Sequence, residues 1–128
     1  MANPAVRLLL VDGDEDECVM VGDLLRAAGP ERFDLTQVST YERGIEAILA
    51  SGCDVCLVDY RLGSRSGLER LAEVIAKSSQ TQTILLVGDG DRGLDVAATI
   101  AGGADYLIKA ELTPALLERS ILDLRHVG

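Results

Sequence analysis

Short apolar runs alternate with amphipathic stretches along the whole chain. Val6 to Val11 is nearly all apolar, the signature of a strand buried on both faces of a parallel sheet. Runs of the same kind lie at Val55–Val58, Thr83–Val87 and Ala104–Ile108, with a weaker one at Phe33–Val38. The segments between them carry helix signals. Ser39-x-x-Glu42 and Ser66-x-x-Glu69 read as capping boxes, each opening a helix. Thr113-Pro114 predicts the start of the last helix, with threonine as N-cap and proline at the first helical position. Beyond it Leu117, Ile121 and Leu124 keep the spacing of a single buried stripe.

Five strand–helix units in succession, with no linker, repeat or low-complexity segment, predict an α/β fold. The expected architecture is a doubly wound five-stranded parallel sheet with five helices, joined by right-handed crossovers. At 128 residues the chain suits one domain, residues 1–128, with its core at about 5–125. In open sheets of this kind ligands bind outside the carboxyl ends of the strands. The functional residues are therefore expected among those that end each strand.

Composition narrows the classes of ligand. With 12 Lys and Arg against 21 Asp and Glu, the formal net charge is −9, which disfavours nucleic acid and anionic lipid. It favours a cation or a basic partner protein. A hydrophobic content of 48% excludes a disordered acidic tail. Met1-Ala2-Asn3-Pro4 carries no signal-peptide pattern, and no run is long enough to span a bilayer, so a cytoplasmic location is expected. Cys18, Cys53 and Cys56 fit a reducing compartment. Cys53 and Cys56 form a CxxC, but within a strand they would point to opposite faces and could not share a metal.

The strand ends hold the chemistry. The first run closes on Asp12-Gly13-Asp14-Glu15-Asp16-Glu17, the third on Asp59 and the fifth on Lys109. Asp14 to Glu17 fit a solvated helix start, where the dipole favours acids. Asp12 and Asp59, closing neighbouring buried strands, would repel unless a proton or a cation lay between them. Magnesium takes one or two carboxylates together with phosphate oxygens, and a lysine suits an anionic group brought to such a site. A competing motif is the GxGxxG of Gly88 to Gly93, which would suggest a nucleotide-binding enzyme. It follows the fourth strand instead of the first, and Asp89 and Asp91 would sit beside the pyrophosphate. A loop opening the fourth helix, with Asp91 as N-cap, is the alternative use.

Val11-Asp12 followed by acids, then Leu57-Val58-Asp59-Tyr60-Arg61-Leu62-Gly63-x-x-Ser66-Gly67, then Asp105-Tyr106-Leu107-Ile108-Lys109, resembles the receiver domain of bacterial two-component response regulators. The resemblance covers essentially the whole chain. It implies the flavodoxin-like strand order 2-1-3-4-5. It also implies a phosphorelay receiver in which Asp59 accepts a phosphoryl group from a histidine kinase or phosphotransfer protein. Asp12, Asp59 and the backbone carbonyl of Arg61 match the magnesium-binding positions. Lys109 matches the lysine that contacts the phosphoryl group, and Tyr106 the aromatic switch. A receiver of this kind is a phosphoacceptor and not an enzyme. It signals through the face of the last strand and helix to a downstream protein or an adjoining output or sensor domain.

Three positions depart from the pattern, one of them Ala110, which follows Lys109 where a proline is usual, so no cis bond is expected there. The second acidic-pocket residue is Gly13, with Asp14 as a stand-in, so weak magnesium binding is expected. Val87 occupies the place of a Thr or Ser whose hydroxyl would bond the phosphoryl oxygen, a contact worth about 1.5–3 kcal/mol. Asp59 and Lys109 favour a working phosphoacceptor with damped switching. Gly13 and Val87 favour a degenerate receiver that acts as a phosphorylation-independent interaction module.

Overall fold

The computed structural model describes residues 5–78, 81–88 and 105–127. Five parallel strands, β1 (Val6–Val11), β2 (Phe33–Val38), β3 (Val55–Asp59), β4 (Gln82–Val87) and β5 (Asp105–Ile108), form one sheet in the order β2-β1-β3-β4-β5. Helices α1 (Glu15–Ala28), α2 (Tyr41–Ala50), α3 (Arg65–Lys77) and α4 (Pro114–Val127) pack on it, and a short 3-10 turn covers Lys109–Glu111. The helix expected between β4 and β5 falls on residues 89–104, outside the described residues, as does Asp89–Gly93 of the glycine motif.

The alternation of side chains along each strand divides the core into two layers. Leu9, Val11, Cys56, Val58, Leu85 and Val87 face α2 and α3, where they meet Tyr41, Ile48, Leu68, Leu71 and Ile75. Leu8, Leu10, Val55, Leu57, Ile84 and Leu86 face Cys18, Val21 and Leu25 of α1 and Leu117 and Ile121 of α4. Both faces of β1, β3 and β4 are thus covered, which is why those strands read as continuous apolar runs. β2 and β5 are edge strands and remain partly exposed, and β2 accordingly gives the weaker pattern at Phe33–Val38.

Three local expectations need correction. α2 is capped by Thr40, not Ser39: Thr40 is extended and its Oγ1 accepts the Arg43 amide at 3.1 Å. α3 is capped by Ser64, whose Oγ accepts the Gly67 amide at 3.0 Å, while Ser66 already lies inside the helix. Each hydroxyl competes with a neighbour for the same orphan amides, and the strand-to-helix path decides which one reaches them. Thr113, by contrast, is the cap that the Thr-Pro pair predicts, accepting the Leu116 amide at 3.1 Å.

The third correction concerns the CxxC. Cys53 precedes β3, so the strand alternation does not separate it from Cys56, and both thiols lie in the α2/α3 layer. They share a hydrogen bond, which lowers the pKa of Cys53 and, together with burial, raises that of Cys56 well above the ordinary range.

The caps make a direct test. Thr40→Ala is expected to lower the unfolding free energy by about 0.5–2 kcal/mol in urea titrations, and Ser39→Ala by less than about 0.5 kcal/mol.

Candidate functional site

β1 lies beside β3 with Val11 opposite Val58, so Asp12 and Asp59 reach the carboxyl edge of the sheet side by side. Each is held by its own backbone turn. The Asp12 amide donates to the Val38 carbonyl at 3.0 Å, and Asp12 Oδ1 accepts the Asp14 amide at 2.9 Å. Asp59 Oδ1 accepts the Arg61 amide at 3.1 Å. Asp12 is fully buried and Asp59 is 9% exposed.

Lys109 follows β5 and leads into the 3-10 turn, which brings its Nζ to 3.1 Å from Asp59 Oδ1. The same ammonium stands 2.7 Å from Glu17 Oε2, in the first turn of α1. Asp12, Glu17 and Asp59 each offer an oxygen within 4.8 Å of the others. Two ionised carboxylates at that separation repel by at least about 3 kcal/mol at an effective dielectric of 20. One lysine faces three acids, and it contacts only two of them. Asp12 Oδ2 is buried and finds no hydrogen-bond partner among the described residues.

The titration behaviour follows from this crowding. Burial first, then the Glu17 carboxyl against it and the nearby charge of Asp59, raise the Asp12 carboxyl to about 7, although the Asp14 amide works the other way. Burial alone would lower Lys109, but its bonds to Glu17 and Asp59 outweigh that and raise it. An orphaned buried carboxylate oxygen inside an all-oxygen donor set fits a hard divalent cation.

The β3–α3 loop is tied down by a residue from another element. Tyr41, at the start of α2 and 2% exposed, donates its hydroxyl proton to the Asp59 carbonyl at 2.7 Å. The same oxygen accepts the Leu62 amide at 3.1 Å. One hydroxyl therefore fixes the loop on both sides of Arg61.

Of the site residues expected from sequence, Asp12, Asp59 and Lys109 come together, and the Arg61 amide touches Asp59. Asp14 does not join them. Its exposed carboxylate is the N-cap of α1, with Oδ1 accepting the Asp16 and Glu17 amides, and it is not one of the three acids whose oxygens cluster. Val87 is fully buried at the end of β4, and Tyr106 is 44% exposed on β5. Glu17 and Tyr41 were not anticipated. The signal for Glu17 is its place three residues after the Asp14 cap, where a helical side chain leans back toward the strand end. No pattern in sequence points to the Tyr41 hydroxyl.

Because Asp12 keeps a proton in the folded state up to about pH 7, its contribution to stability is complete below about pH 4 and is lost as the pH rises toward 7. Asp12→Asn is therefore expected to exceed the wild type in stability at pH 8 without divalent cations, by roughly 2–4 kcal/mol. The gap should close near pH 4 when both are unfolded in urea. Tyr41→Phe leaves the Asp59 carbonyl and the Leu62 amide without their partner and should cost about 1–3 kcal/mol by the same measurement.

Comparison with known proteins agrees with this geometry. Residues 8–121 match the response regulator receiver domain family. The chemotaxis protein CheY of Listeria monocytogenes is 26% identical over 116 residues, covering 88% of this chain and 93% of that protein. The acid tolerance regulatory protein ActR of Sinorhizobium medicae is 28% identical over 123 residues, covering 93% of this chain. The transcriptional regulatory protein ZraR of Escherichia coli O157:H7 is 25% identical over 131 residues, covering 96% of this chain. The chain spans 62% of the length of ActR and 29% of that of ZraR. Among solved structures, the receiver domain of the sensor histidine kinase PA1611 of Pseudomonas aeruginosa PAO1, determined with a magnesium ion in its active-site cleft, superposes with a TM-score of 0.77. It is 21% identical, and the match covers 95% of this chain and 98% of that one. The signal receiver domain of a LuxO repressor protein from Vibrio parahaemolyticus also gives 0.77, at 22% identity and 95% and 91% coverage. The strand order, the acids at the ends of β1 and β3 and the lysine after β5 thus agree with a match over nearly the full chain, which belongs to the response regulator receiver domain family.

Proposed function

We propose that this chain is a phosphoacceptor receiver in which Asp59 takes a phosphoryl group from a phosphohistidine on a partner kinase or phosphotransfer protein. The observation that carries the reading is Lys109 Nζ resting on Asp59 Oδ1 beside the orphaned Asp12 carboxylate. In the transfer, an Asp59 carboxylate oxygen forms the new bond to phosphorus as the bond from phosphorus to the partner's imidazole nitrogen breaks. The nitrogen keeps the electron pair of that bond. Lys109 stands where it can follow the phosphoryl oxygens and offset their charge.

Asp12, Asp59 and the Arg61 carbonyl are the groups that would hold magnesium. When bound, the cation offsets the charge gathered between the carboxylates and the incoming phosphoryl group. The magnesium seen in the PA1611 receiver supports carrying that ion over to this chain. Tyr41 serves by holding the loop that presents Asp59 and Arg61.

The output side is the exposed edge formed by β5 and α4, where a downstream protein or an adjoining domain would read the modification. Val87 bears no hydroxyl for the phosphoryl oxygen, so coupling from Asp59 to Tyr106 is weaker than a Thr or Ser there would give. That same buried valine favours a second reading, a receiver that engages its partner without phosphorylation. No helix among the described residues is long and apolar enough to cross a membrane, and the reading places the domain in the cytoplasm.

Intact-mass measurement after incubation with magnesium and a small-molecule phosphodonor separates the two readings. A single phosphoryl adduct is expected on the wild type and none on Asp59→Asn. A folded wild type that stays unmodified would select the phosphorylation-independent reading. Val87→Thr should enlarge the phosphorylation-dependent NMR shift of Tyr106 relative to the wild type.

A further inference from the structure

Gly13 stands where the family carries a second acid, and the fold crowds that position. A Cβ built on Gly13 would lie 3.0 Å from Leu62 Cδ1 and 3.2 Å from the Ser39 carbonyl oxygen. Neither is comfortable for a side chain, and the carbonyl belongs to the backbone that leads into α2. Asp14, the next candidate, caps α1 through its Oδ1 and is not among the acids of the cluster. The acidic pocket is nevertheless not short of a carboxylate. Glu17 reaches it from the first turn of α1, with an oxygen within 4.8 Å of oxygens on both Asp12 and Asp59.

The second observation is the state of Asp12. Its side chain is fully buried and joins this cluster, its Oδ1 is used by the Asp14 amide, and its Oδ2 meets no donor among the described residues, with the Glu17 carboxyl against the same side chain. Lys109 does not answer it, since the ammonium is shared between Glu17 and Asp59. What Oδ2 lacks is a donor or a cation, and the neighbouring carboxylates are those of Glu17 and Asp59. Small hard cations are bound by such oxygen sets.

We propose that Glu17 supplies the cation site with the carboxylate that Gly13 cannot, entering from α1 instead of from the β1–α1 turn. The inference rests on the reading of Asp12 and Asp59 as the cation-assisted phosphoacceptor pocket. It has a consequence for Lys109. Before cation binding the ammonium is divided between Glu17 and Asp59; once Glu17 turns to the cation, Lys109 is left to Asp59 and to what Asp59 carries. It also raises the expected affinity above that of a pocket built from Asp12 and Asp59 alone.

Manganese, followed by electron paramagnetic resonance, is a suitable probe of affinity. Glu17→Gln is expected to weaken its binding about ten- to hundredfold, and Asp14→Asn to change it less than about twofold. Side-chain carboxyl carbon resonances of the wild type, titrated with magnesium, report contact directly. The Glu17 resonance should move with the same midpoint as those of Asp12 and Asp59, whereas a structural role for Glu17 would leave it still. Equal affinity in Glu17→Gln and wild type, with binding lost in Asp59→Asn, overturns the Glu17 assignment and leaves the phosphoacceptor reading standing. Glu17-dependent manganese binding without any phosphoryl adduct on Asp59 supports the assignment and overturns the phosphoacceptor reading. No binding to the wild type overturns both the assignment and the magnesium step.

Discussion

Because Val11 pairs with Val58, the strands of this sheet deliver two carboxylates to one spot at its carboxyl edge. The register that buries the apolar core is the same register that forces Asp12 and Asp59 together. A slip by one residue would relieve the repulsion, but it would turn every apolar side chain of β1 to the wrong layer. The molecule keeps the core and accepts the strain of like charge. Lys109, the raised Asp12 carboxyl and the amides of Asp14 and Arg61 are all responses to that one arrangement.

The supporting parts come from different elements, and this spreads the site across the fold. α1 brings Glu17, the turn after β5 brings Lys109, and α2 brings the Tyr41 hydroxyl that fixes the loop after β3. The pocket is therefore rigid on the β3 side and adjustable where long side chains enter from α1 and β5. That division suits the proposed phosphoacceptor role, in which the site gains a charged group while the sheet beneath it stays in place.

What could be read from sequence followed how local the cause was. Buried strands announce themselves by unbroken apolar runs, and strand ends then point to Asp12, Asp59 and Lys109. The Thr113-Pro114 start was legible because proline narrows the choice of cap to one residue. Ser39 and Ser66 misled because hydroxyls one and two residues away, on Thr40 and Ser64, were equally capable caps. Cys53 was assigned to a strand that begins two residues later. Glu17 looked like one more acid at a helix start; its place three residues after the Asp14 cap sets it apart from Glu15, and the packing of α1 against the sheet edge then brings it to the site. Tyr41 carried no signal in the sequence, because its buried ring belongs to α2 while its hydroxyl serves a carbonyl 18 residues further along the chain.

The crowded position at Gly13 also bears on how such a sequence changes over generations. An acid returning there would press on the Leu62 methyl and on the Ser39 carbonyl. The leucine end can turn aside, whereas the backbone carbonyl has to shift by a few tenths of an ångström, so changes that relax the path into α2 ease the way for the acid. A glycine that looks like a loss also suits the residues packed around it.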